Sequence, residues 1–127
     1  MSFLEIFTYS LLLLLIINYI RKKIQASKIK HYSSEEAKGK LKNPSVVLLD
    51  VRTDQERKSN KINNSLHIPL NQLSGRIDEL NKFKSKEFIC YCRSGNRSVS
   101  AAVMLNKKGF NASNLRGGIN RWNFSEK

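Results

Sequence analysis

The chain has 127 residues, a formal net charge of +13, two cysteines and two histidines, which allows one small domain with one core. Arg21, Lys22, Lys23, Lys28 and Lys30 face only Glu5 within residues 1–32, and eighteen basic residues face nine acidic ones in 33–127, so both parts favour anionic partners. Cys90 and Cys92 stand two apart and far from His31 and His67, which excludes a zinc-type ligand spacing and a disulfide framework of the secreted kind. Neither a metal nor a cofactor is called for.

The first predicted element is apolar. Residues 3–20 are interrupted only by Glu5, Thr8, Ser10 and Asn18, and as a helix they would reach about 27 Å, close to the bilayer core of about 30 Å. A secretory signal places positive charge before its apolar run and small residues after it. Here Glu5 lies within the start of the run and the basic cluster follows it. The expectation is therefore an uncleaved single-pass anchor over 1–20, with everything after it on the cytoplasmic side by the positive-inside rule. A reducing compartment follows, in which a free thiol survives. Residues 21–32 form a basic connector, or a continuation of the anchor helix; without Pro or Gly it is not called flexible.

From residue 33 to 127 the patterns alternate. SSEEAKGKLK opens with serines and two glutamates, a helix start that Gly39 weakens. SVVLLDVR is an apolar run of strand length, as in a strand covered on both faces. TDQERKSN fits a short helix capped by Thr53, and SLHIP is a short strand closed by Pro69. LNQLSGRIDELNKF spaces Leu70, Leu73, Ile77 and Leu80 along one helical face. EFICYC is a second buried strand, RSVSAAVMLNKKG a helix closed by Gly109, and ASNL a third short strand before RGGINRW. This alternation predicts an α/β fold with a largely parallel sheet.

In such sheets ligands bind beyond the carboxyl ends of the strands, where loops enter helix N-termini. CYCRSGNRS lies at such a junction: the strand over 87–92 delivers Cys92 to its edge, and Ser94, Gly95 and Asn96 suit a tight loop with inward N–H groups. Those groups, the helix start, Arg93 and Arg97 would all favour negative charge, and a thiolate is such a charge.

LLDVR (48–52), HIPL (67–70), YCRSGNRS (91–98) and LRGGINRW (115–122), in this order and spacing, resemble a single rhodanese domain over about residues 33–123. The resemblance implies a mainly parallel five-stranded sheet flanked by helices, and a nucleophilic cysteine, here Cys92, that carries sulfane sulfur as a persulfide. It implies a small sulfur donor such as thiosulfate or a persulfide, and a thiol or cyanide acceptor. Arg93, Ser94, Gly95, Asn96 and Arg97 would form the active-site loop. Six residues from Cys92 to Arg97 match sulfurtransferase members, whereas related phosphatases use a longer loop with arginine at the position that Ser98 holds here. Asp50 is the expected partner of Arg97, and Asp50 and Arg52 are expected to support the loop. Ser94 and Ser98 would donate hydrogen bonds or cap the helix.

Cys90 is expected to be buried filler, His67 a structural residue and Trp122 a plug on the core. The chain departs from the family where NKINNSLHIP replaces its Gly-His-Ile-Pro-Gly-Ala-like stretch, keeping Ile62 as the apolar anchor, and it stops soon after Trp122. The competing class is a membrane-tethered sulfur carrier, sensor or partner-binding module with little turnover. Nucleic-acid binding is not expected, because a basic surface beside an anionic membrane accounts for the charge.

Overall fold

The computed structural model describes residues 1–125. Helix α1 (Phe3–Ser27) is followed by β1 (His31–Tyr32), α2 (Ser34–Lys40), β2 (Val46–Asp50), α3 (Asp54–Ser59), β3 (Leu66–His67), α4 (Leu70–Arg76), a 3-10 segment over Ile77–Phe83, β4 (Glu87–Tyr91), α5 (Asn96–Lys107), β5 (Asn111–Leu115) and α6 (Gly118–Ser125). The five strands form one parallel sheet in the order β1-β5-β4-β2-β3. All strand carboxyl ends therefore open on one side, where Asp50 pairs with Tyr91 in register and Cys92 follows at once.

Alternation along the strands feeds a core on each face. Leu49, Phe88 and Cys90 point to one core with Leu73, Leu105 and Phe110. Leu48, Ile89 and Tyr91 point to the other with Leu115, Ile119 and Trp122. Two covered faces explain why the central strands read as unbroken apolar runs.

Local signals set the helix boundaries. Ser33 with Glu36 and Thr53 with Glu56 form reciprocal capping boxes at the starts of α2 and α3. Gly109 takes φ 86° to end α5, and the Phe110 N–H donates back to the Leu105 carbonyl at 3.1 Å.

One sequence expectation is corrected. The single helix expected over 70–83 divides, because Arg76, just after Gly75, leaves the helical region (φ −122°, ψ 8°) and the chain continues as 3-10 turns. Leu73, Ile77 and Leu80 still reach the core. Past residue 20, α1 continues to Ser27, Ile29 is buried in the core, and His31 and Tyr32 pair with Asn114 and Leu115. A two-residue edge strand carries no periodicity by which a sequence could announce it.

Helix α1 has no buried residue. Its most apolar 18-residue window has a mean hydropathy of 2.0, and by length and composition it is able to cross a membrane. Its last turns lie along α5. Tyr19, Lys23 and Ala26 share a groove with Val99, Val103 and Lys107, and Gln25, Lys28 and Ile29 share one with Val103, Asn106 and Lys107.

Candidate active site

The site is built where β4 passes into α5. Cys92 is only 2% exposed, and its Sγ accepts a hydrogen bond from the Gly95 N–H at 3.1 Å and lies 3.3 Å from Ser98 Oγ. Burial works against the thiolate, but hydrogen bonds from Ser98 and from the N–H groups of Ser98, Gly95 and Ser94 outweigh it and hold the Cys92 thiol below its usual range. The loop thus favours negative charge on sulfur through its own backbone. Gly95 makes this geometry accessible with φ 121°.

A second segment keeps the loop carbonyls turned away from that centre. At the start of α6, the Ile119 N–H donates to the Cys92 carbonyl at 2.9 Å and the Asn120 N–H to the Arg93 carbonyl at 3.3 Å. Gly118 is what permits this approach, since a Cβ there would lie 2.3 Å from the Cys92 carbonyl oxygen, inside any tolerable contact. Gly117 and Gly118 lie in the LRGGINRW stretch, where paired glycines before a helix are the sequence signal for this close approach.

Of the loop residues named from sequence, Arg93, Ser94 and Asn96 are exposed and Gly95 is buried. Arg97 is not paired with Asp50 as expected. Its two terminal nitrogens donate to the Glu56 carboxylate at 2.7 and 2.9 Å, a bidentate pair. Glu56 is pushed down to about 2, first by this hydrogen bond and also by those from Thr53. Because Glu56 is also the third residue of α3's capping box, α3 anchors the Cys92 loop.

Asp50 lies behind the loop, fully buried, with its own partners. It accepts from the Arg52 N–H and Nε at 2.9 and 3.0 Å, from Arg52 Nη2 at 2.8 Å, from Arg57 Nη1 at 3.2 Å and from the Tyr91 hydroxyl at 3.0 Å. Arg52 also reaches the Asn60 carbonyl at 2.8 Å and Asn60 Oδ1 at 3.0 Å. Removal from water raises the Asp50 carboxyl, and the Arg52 and Tyr91 hydrogen bonds more than reverse this. These residues tie the ends of β2 and β4 to the 60–65 loop; Arg57, outside the quoted motifs, and Tyr91, quoted within YCRSGNRS without a role of its own, complete the cluster. His67 Nε2 lies 2.8 Å from the Arg52 carbonyl, fastening the neighbouring strand.

Cys90 is fully buried, and burial pushes its thiol up to about 12, with the charge of Cys92 adding to the effect. Both cysteines are free thiols. Among the described residues no group of three His, Cys, Asp or Glu side chains is placed to hold a metal ion.

The comparison with known proteins agrees with this architecture. The rhodanese-like domain family matches residues 33–125. The Bacillus subtilis protein YtwF is 33% identical over 95 residues, covering 74% of this chain and 90% of its own. A sulfurtransferase of Allochromatium vinosum is 37% identical over 78 residues, covering 61% of this chain and 71% of its own. The crystal structure of a rhodanese-related protein from Thermoplasma volcanium superposes with a TM-score of 0.69 at 28% identity, over 76% of this chain and 92% of that one. The chain belongs to the rhodanese-like family.

Proposed function

We propose that this protein is a sulfurtransferase that carries a sulfane sulfur as a persulfide on Cys92, with its domain held at the cytoplasmic face of a membrane by α1. In the first half-reaction the Cys92 thiolate attacks the outer sulfur of thiosulfate or of a small persulfide. The donor's S–S bond breaks, and sulfite or a thiolate departs with the electron pair. In the second, an acceptor thiolate, or cyanide in an assay, attacks the terminal sulfur and Cys92 leaves as the thiolate. The N–H groups of Ser94, Gly95 and Ser98 hold negative charge at both stages, Arg93 offers an exposed cation to an anionic donor, and Arg97 braces the loop through Glu56. The observation that carries the proposal is the Cys92 sulfur enclosed by one compact loop, with the Gly95 N–H donating to it at 3.1 Å and Ser98 Oγ 3.3 Å away, an arrangement that favours the thiolate. The name of the Allochromatium vinosum relative supports the same class of reaction.

The test is intact-protein mass after incubation with thiosulfate. Wild type should gain one sulfur atom, released by cyanide as thiocyanate, and Cys92→Ser should gain none. A wild-type chain that takes up no sulfur from thiosulfate or from a low-molecular-weight persulfide would sink the proposal.

A second reading, a persulfide carrier with little turnover, is favoured by the burial of Cys92, which obliges an acceptor to reach into the loop. It predicts one transfer per chain to a protein thiol and slow turnover with small thiols.

A further inference from the structure

Behind Cys92 a line of polar side chains crosses the edge of the sheet. Ser98 Oγ, fully buried, faces three acceptors: Cys92 Sγ at 3.3 Å, the Gly95 carbonyl at 3.1 Å, and Asn114 Oδ1 at a shorter distance. A serine hydroxyl has one proton to donate, so these three compete for it. Asn114 is only 3% exposed; its Nδ2 lies 3.0 Å from Nδ1 of His31, and His31 is exposed. An unbroken hydrogen-bonded path thus runs from solvent through His31, Asn114 and Ser98 to the sulfur. His31 lies outside the residues matched by the family.

The two ends of an asparagine amide have nearly the same shape, so its orientation follows the demands of its partners. A neutral His31 accepts at Nδ1 and takes the Asn114 N–H. Asn114 Oδ1 then faces Ser98 and competes with Cys92 for its proton. A protonated His31 has no acceptor nitrogen. Asn114 must then present Oδ1 to the imidazolium and Nδ2 to Ser98, whose proton is freed for another acceptor. A thiolate is the stronger of the two acceptors that remain, because the bond to it is charge-assisted.

We propose that His31 and Asn114 are positioning residues that couple protonation at the surface to ionisation of Cys92: a proton on His31 turns the Asn114 amide and hands the Ser98 hydroxyl to the Cys92 thiolate. The inference rests on Cys92 being the reactive thiol, not on any particular sulfur donor. Other charges stand near the path: Lys30 beside His31, Glu35, Glu36 and Lys38 on α2, Arg116 beyond β5, and Arg97 at the sulfur. None of them lies on it, so their influence acts through space and survives when the path is cut.

Two readouts on the full chain in detergent micelles test the coupling, and neither requires sulfur transfer. By reciprocity, a thiolate at Cys92 must favour protonated His31 as much as the reverse. The midpoint of the His31 imidazole resonances should therefore lie lower in Cys92→Ser than in wild type, by about a fivefold or greater change in proton affinity. Ser98→Ala, which cuts the path while leaving every charge in place, should shrink that difference to the smaller one the Cys92 charge exerts through space. The rate of Cys92 alkylation against pH should carry a second step that coincides with His31 titration and is absent in His31→Gln, a change at an exposed position. An equal His31 midpoint in wild type and Cys92→Ser overturns the proposal, and so does a difference that persists undiminished in the Ser98→Ala background. Loss of thiosulfate activity with the coupling intact would count against the donor and leave this inference standing.

Discussion

Two cysteines sit two residues apart and share one core, yet the residues around them divide their chemistry. Cys90 lies in the apolar core, apart from the loop hydrogen bonds that hold Cys92, and burial lifts its thiol to about 12. Cys92, one pleat further, has left the strand and receives loop hydrogen bonds. Cys90→Ser should therefore bury a hydroxyl at an apolar position and lower stability by about 1–3 kcal/mol, while persulfide formation on Cys92 persists; denaturant titration and intact mass on the same sample check both halves. Equal loss of sulfur uptake from a folded Cys90→Ser chain would refute the division. The position of Cys92 at a strand edge before a small-residue loop was legible in the sequence, because strand length and loop composition are local properties. The partners Asn114 and His31 were not, since they reach the sulfur only through the pairing of β5 with β4 and β1.

At the scale of elements, one short helix holds the loop. Arg97 was legible as a brace, but Asp50 was named as its partner because it ends the adjacent strand; the register of the sheet instead pairs Asp50 with Tyr91 and leaves it enclosed by Arg52 and Arg57. Glu56, six residues further along, sits on the turn of α3 that faces α5. Its carboxyl falls from 4.5 to about 2 on folding, so it binds protons less readily when folded, and its contribution to stability is complete above about pH 4.5 and lost as the pH falls toward 2. Glu56→Gln should lower stability at neutral pH by about 1 kcal/mol, a modest figure because the pair is about one-third exposed. It should also weaken the pH dependence of the urea midpoint across that acid window. An unchanged acid profile in the variant would show that the pair adds nothing to folding. The same variant should slow Cys92 alkylation less than Ser98→Ala does, because Arg97 steadies the loop while Ser98 touches the sulfur.

For the whole molecule, the strong positive charge and the apolar first helix belong together. The alternation of strands and helices was plain in the sequence because each central strand is covered on both faces. The edge strand β1 and the path of α1 beyond residue 20 were hidden, since a two-residue pairing and a solvent-exposed helix leave no apolar stripe to read. If Arg21, Lys22 and Lys23 stay on the cytoplasmic side, a reporter joined after Lys127 should be active only in the cytoplasm and should sediment with membranes at high salt. Export of the fusion, or its release by salt alone, would contradict a spanning α1.

Only Lys28–Lys30 separate α1 from the first strand, too short a stretch to carry the domain far from the end of the helix. With α1 in a bilayer, a donor or acceptor confined to the same membrane would find Cys92 by diffusion in two dimensions, at a local concentration set by the leaflet, in place of a search through the bulk.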